Sequence, residues 1–201
     1  MEIDFQKWMR EFENQWEDKP IEYKSESGEW KEENDLLFGS ISTAIQSRGE
    51  ISVDELLKIS QWKLQGKRND SYIEQNSDHE VERRSQTALE ATDDVEAIDE
   101  LTELSGVGVP VASTVLTVAD PSHYAIIDYR AFRGLAAAKP ELIESDGYAT
   151  LAEFMGHFRT YLRKAEAYAF YMEQVREIAE TKDLSPREVD MALWAFDKTK
   201  A

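Results

Sequence analysis

The sequence predicts an all-α fold, and three observations carry that expectation. Apolar residues recur at three- and four-residue spacing along most of the 201 residues, which places them on one face of a helix. Two capping boxes, Ser52-x-x-Glu55 and Ser185-Pro186-x-Glu188, open helices by exchanging side-chain and backbone hydrogen bonds. No stretch alternates convincingly at period two, as a half-buried strand would. Residues 1–201 therefore read as a single helical domain without internal repeats or long low-complexity linkers.

In chain order, the first 34 residues are acidic and aromatic, with Trp8, Trp16 and Trp30 among charges, and read as a helix followed by an irregular arm over residues 19–28. Residues 35–47 carry Leu36, Leu37, Ile41, Ala44 and Ile45 at helical spacing, and Gly49 ends that helix. Ser52 opens the next one through Val53, Leu56, Leu57 and Ile59. The polar residues 66–79 read as a loop before a helix around residues 81–89. Thr92 or Asp93 caps a helix whose stripe is Val95, Ile98, Leu101 and Leu104. Residues 149–180 form one long helix or two with a break, and the last helix begins at Pro186.

Composition bounds the function classes. With 41% apolar residues, 5 Trp, 8 Tyr and 8 Phe the chain has ample material for a core. It has no cysteine, which excludes disulfides and thiolate metal sites and is compatible with a reducing compartment. No apolar run approaches the roughly 20 residues of a membrane helix, and residues 1–10 carry acids where a signal peptide has an apolar core. The expectation is a cytoplasmic protein with no membrane partner. His79, His123 and His157 share no ligand spacing, so neither metal nor cofactor is expected. The absence of a Gly-x-x-x-x-Gly-Lys loop argues against nucleotide hydrolysis of that type.

The net charge of -18 runs against nucleic-acid binding, whose non-specific affinity comes mostly from neutralised phosphates. It fits an acidic protein that never meets DNA. It also fits a halophilic, salt-adapted cytosol, where carboxylates aid solubility and screening shortens long-range forces to roughly 3 Å at 1 M salt. In the second case binding rests on short-range backbone contacts and a local basic patch.

The informative run is residues 101–128. An amphipathic helix ends at Leu104, residues 105–109 turn with Gly106 and Gly108, and a second helix starts at Pro110. The glycines permit positive φ and close backbone approach. Outward-facing amides at a helix start, reinforced by its dipole, form an anion site suited to phosphate. Val107 is the apolar plug between the helices. A Gly-x-Gly turn between helices is also found as a purely structural αα-hairpin. Beyond the second helix lie Asp120, Pro121, His123, Tyr124 and the apolar approach to Asp128.

Leu104, Gly106, Val107, Gly108, Ala112, Pro121, Ile127 and Asp128 together resemble the helix–hairpin–helix DNA glycosylase superfamily, over about 35 residues. The resemblance implies a two-lobed helical domain with residues 93–118 as its helix–hairpin–helix element. It implies DNA as partner, with Gly106, Val107, Gly108 and Val109 at the phosphate. It further implies that Asp128 sits near the sugar of a flipped base, stabilising charge on the sugar or orienting water. The plain alternative for Asp128 is an N-cap of the helix over residues 129–135, and both roles are compatible. Bifunctional members carry a lysine nucleophile at the position occupied here by Pro110, which cannot form a Schiff base. The implied enzyme is thus a monofunctional glycosylase, and its counterpart is a non-catalytic binding or protein-interaction module.

Residues 61–68 carry a further candidate group. Trp62 is placed to stack on a base, Lys63 to contact phosphate or act as a nucleophile if desolvated, and Lys67 and Arg68 to add positive charge. The alternative is a packed tryptophan beside solvated lysines. Arg83, Arg84, Arg130 and Arg133 form a basic island if they share that face, and Arg130 is equally placed to pair with Asp128. Tyr161, Tyr168, Phe170 and Tyr171 read as core.

Overall fold

The computed structural model describes residues 3–17, 21–24, 30–33, 36–145, 150–161 and 163–200. Helices dominate. Asp4 caps α1 (Phe5–Phe12), which continues as a π-helical turn over Glu13–Glu17. The expected irregular arm departs from the sequence reading where it is described. Strands β1 (Ile21–Lys24) and β2 (Trp30–Glu33) pair antiparallel, with Ile21 opposite Glu33 and Lys24 opposite Trp30. The rest of that arm, 18–20 and 25–29, lies outside the described residues. Each strand has only four residues, at the lower limit of a legible period-two pattern.

A π-helical segment, Leu36–Ile41, leads into α2 (Ser42–Arg48), which Gly49 ends at φ 76°. Ser52 and Glu55 form the expected capping box of α3 (Val53–Leu64), and Gln65 closes it in the left-handed conformation. The polar stretch read as loop contains a single helical turn, α4 (Asp70–Ile73), fastened by Ile73, which is fully buried. Ser77 caps α5 (Asp78–Glu90) and Asp93 caps α6 (Asp94–Thr102). After a turn comes α7 (Val109–Ala119), in which all residues except Pro110 are buried. Such an all-round apolar helix belongs at the centre of a core.

The remaining helices are α8 (Tyr129–Ala138), α9 (Glu141–Ser145), α10 (Leu151–Tyr161), α11 (Ala165–Lys182) and α12 (Pro186–Lys200). The long apolar pattern toward the C-terminus thus resolves as two helices with a break. Ser185 and Glu188 exchange hydrogen bonds at the head of α12 as their spacing predicts.

Three contacts fix how the helices meet. Trp8 packs on Phe196, and Phe12 and Trp16 on Trp194, so α1 lies along α12. The α8–α12 crossing is close: a Cβ on Gly134 would stand 2.4 Å from the Leu193 carbonyl oxygen. A bidentate pair, Arg176 with Asp94 at 2.5 and 2.9 Å, joins α11 to α6. As expected, Tyr168 and Tyr171 are core residues, both fully buried, and Phe170 packs against that core half-buried. The Tyr161 side chain lies outside the described residues. Among the described residues no helix is long and apolar enough to cross a membrane.

Candidate functional site

Of the two glycines in the turn between α6 and α7, only Gly106 uses the freedom expected of both; Gly108 has φ −107° and no close neighbour. Gly106 adopts φ 81°, and a Cβ there would lie 2.9 Å from both Tyr72 Cβ and Ile73 Cγ1. Val107 is buried at 7% exposure, between its neighbours as the plug. Among the described residues, the N–H groups of Gly106, Gly108 and Val109 have no acceptor, whereas Val107 N–H donates to the Leu104 carbonyl. Gly108 is exposed. Pro110 contributes no amide.

The turn is braced from α4. Asn69 donates to the Gly106 carbonyl at 2.8 Å. Asn76 donates to the Ser105 carbonyl at 3.0 Å and accepts from the Ser105 amide at 2.8 Å. Sequence reasoning missed both asparagines. In sequence they are polar loop residues, and only their long-range partners reveal them.

Asp128 is fixed by two roles at once. Its Oδ1 accepts from the Arg130 and Ala131 amides at 2.7 and 2.8 Å, which is the N-cap of α8. Its Oδ2 accepts from Lys63 Nζ at 3.3 Å. The Lys63 side chain is 9% exposed and that of Asp128 27%. The structure thus brings together two candidates that lie 65 positions apart. A charge-assisted contact of this kind restricts the direction of the carboxylate.

The apolar approach to Asp128 is held from three helices. Tyr168 of α11 donates to the Ala125 carbonyl at 3.2 Å, and the Ile126 amide donates to Asp190 of α12 at 3.2 Å. The Ile127 amide donates to Ser113 of α7 at 3.3 Å. Asp190 is buried, and burial together with Asp128 pushes its carboxyl above the usual range, opposed by Arg187 and Lys63.

Other candidates sit elsewhere than the sequence proposed. The Arg130 side chain pairs with Asp197 at 3.1 Å rather than with Asp128; it is the Arg130 backbone that reaches Asp128. The i+2 spacing turns its guanidinium toward α12, where Arg133 meets the same Asp197 at 3.0 Å. Arg84 is tied to Glu80, Glu100 and Glu103, so it adds nothing to a shared basic face. Trp62 is half-buried, packed edge-on against Phe38 at 6.2 Å. Lys67 and Arg68 are exposed, and neither is tied in an ion pair among the described residues.

One short segment connects the two halves of the site. Lys63 reaches Asp128, and Asn69, six residues on, reaches Gly106. A chain of that length spans at most about 22 Å. Lys67 and Arg68 lie between these anchors. Asp128 also borders an open cavity of about 280 Å³ lined by Tyr129, Arg130, Arg133 and Trp194, just below the roughly 300 Å³ at which small-molecule clefts begin. Among the described residues no three His, Asp or Glu side chains cluster as metal ligands. Compared with protein-family models, curated proteins and solved structures, the chain gives no match.

Proposed function

We propose that the chain binds DNA through residues 105–109 as a helix–hairpin–helix and excises a damaged base as a monofunctional glycosylase of two-lobed type. The observation that carries this reading is the pairing of unspent amides at Gly106, Gly108 and Val109 with a restrained carboxylate at Asp128, both anchored to residues 63–69. The amides and the head of α7 hold a phosphate without selecting a base. Lys67 and Arg68 supply the nearby positive charge. Asp128 stabilises the cationic sugar as the glycosidic bond breaks with its electron pair leaving on the base; water then adds to C1′ of the sugar, and the proton it loses balances the one the base takes up. Lys63 keeps its second oxygen in one direction and yields it to that charge.

Duplexes carrying single uracil, hypoxanthine, 8-oxoguanine or alkylated adenine residues, incubated at low and high KCl, test the reading. Base release is expected from at least one. Asp128→Asn should cut release by about a hundredfold or more and leave duplex affinity nearly unchanged. Duplex binding with no release from any lesion would instead support a non-catalytic helix–hairpin–helix module of an acidic, salt-adapted cytosol. No duplex binding at any salt sinks both.

Lys63 is assigned as a charge partner rather than a nucleophile, because its amine is engaged by Asp128. Borohydride added during turnover should therefore trap no protein–DNA adduct. An adduct lost in Lys63→Met would reverse that assignment.

A further inference from the structure

The region behind Asp128 holds a buried ion pair that touches neither the turn before α7 nor the open cavity beside Asp128. Asp190 and Arg187 lie one turn apart on α12, with side chains 4% and 9% exposed, and pair at 2.5 Å. The Arg187 guanidinium stands over the Phe12 ring at 5.2 Å and the Phe38 ring at 4.9 Å. A charge pair withdrawn from water this fully is costly to build and gives little net stability. Its use therefore lies in what it holds. The Asp190 carboxylate accepts from the Ile126 amide, two residues before Asp128.

We infer that Asp190 is a positioning residue for Asp128, acting through the main chain at Ile126. This rests on Asp128 being the working carboxylate. Arg187 keeps Asp190 turned toward Ile126, and Phe12 and Phe38 keep Arg187 in place. The aromatic face of the N-terminal segment is thereby connected to the aim of Asp128. The groups facing Asp190 are Arg187 on α12, Lys63 on α3, Asp128 at the head of α8 and Tyr171 on α11. Asp128 favours the protonated form of Asp190 and Lys63 the ionised form.

The test has two readouts, one independent of any reaction. The Asp190 carboxyl is titrated by carbon NMR in the full chain, in Asp128→Asn and in Lys63→Met. Its midpoint should fall in the first variant and rise in the second, because Asp128 favours the protonated form and Lys63 the ionised one. A midpoint that moves in neither overturns the inference. The second readout is base release across pH in Asp190→Asn, and in Asp190→Asn combined with Arg187→Met, which leaves no unpaired buried cation. Release should drop about ten- to a hundredfold, with a displaced pH profile and unchanged duplex affinity. Release and profile identical to the unaltered chain overturn the inference while leaving Asp128 as the working group. If the unaltered chain releases no base, Asp128 loses its assigned role and Asp190 with it, whatever the NMR titration shows.

Discussion

Tyr171 places a hydroxyl in the core with no hydrogen-bond partner among the described residues. A buried polar atom left unpaired costs about 1–3 kcal/mol. Tyr171→Phe should therefore raise the midpoint of thermal unfolding, by a few degrees for about 1 kcal/mol, as followed by circular dichroism. Tyr168 differs because its hydroxyl is spent on Ala125, and Tyr168→Phe should destabilise. Burial pushes both phenols well above their ordinary value of 10.0. The folded chain thus holds these protons more tightly than the unfolded one. Stability from this source is intact below that ordinary value and falls as pH rises beyond it. Asp190 has the same sign in the acid range: stability declines as pH rises from the ordinary 3.8 through the raised value, then levels off. Asp70 is raised likewise and Glu55 lowered, so urea titrations across the acid range should show the decline attributable to Asp190 as the difference between the unaltered chain and Asp190→Asn. At this scale, local chemistry was legible and distant chemistry was not. Asp128 and Asp93 cap the helices that follow them because a cap needs only its next few amides. The Arg130–Asp197 pair depends on how α8 meets α12, which neither segment encodes alone.

The turn before α7 separates two glycines that look equivalent in sequence. Gly106 combines φ 81° with contacts at 2.9 Å that an added Cβ would make, whereas Gly108 has φ −107° and meets nothing closer than Pro110 at 3.9 Å. Gly106→Ala should cost about 1–3 kcal/mol, read as a lower urea midpoint. Gly108→Glu should leave stability within about 0.5 kcal/mol while weakening duplex binding tenfold or more, because it sets a carboxylate where a phosphate is expected. Equal losses of stability in both variants would contradict this division. Helices with long stripes or capping boxes could be read from residues alone, since their signals lie within a turn or two. The hairpin of β1 and β2 could not: Ile21-Glu22-Tyr23-Lys24 alternates for four positions and Trp30-Lys31-Glu32-Glu33 scarcely alternates. The single turn of α4 was hidden likewise, because what keeps it is Ile73 in the core and the asparagines bracing residues 105 and 106.

For the molecule as a whole, the charge of -18 governs how it meets a polyanion. Lys67 and Arg68 are exposed and in no ion pair among the described residues, so if the proposed duplex binding uses them, few counterions would be released. With two phosphates neutralised, the logarithm of affinity should fall against that of salt with a slope of about −2. Fluorescence anisotropy over a KCl series measures it, and a slope several times steeper would mean that a larger basic face is engaged. The fold's helical class was readable from the sequence because periodicity is spread along the chain. The joining of residues 63–69 to both Asp128 and Gly106 was not, since it exists only once α3, α4 and α7 are packed.

The meeting of Gly134 with the Leu193 carbonyl has a mechanical meaning. Where two helices touch through main chain, no side chain is left to flex and absorb a displacement. The head of α8 then inherits the coordinates of α12 almost without slack, and α12 in turn bears the ring stack of Trp8, Phe12 and Trp16. A chain losing those N-terminal rings would keep every residue around Asp128 and lose the backing that holds α12, and through it the head of α8, in place.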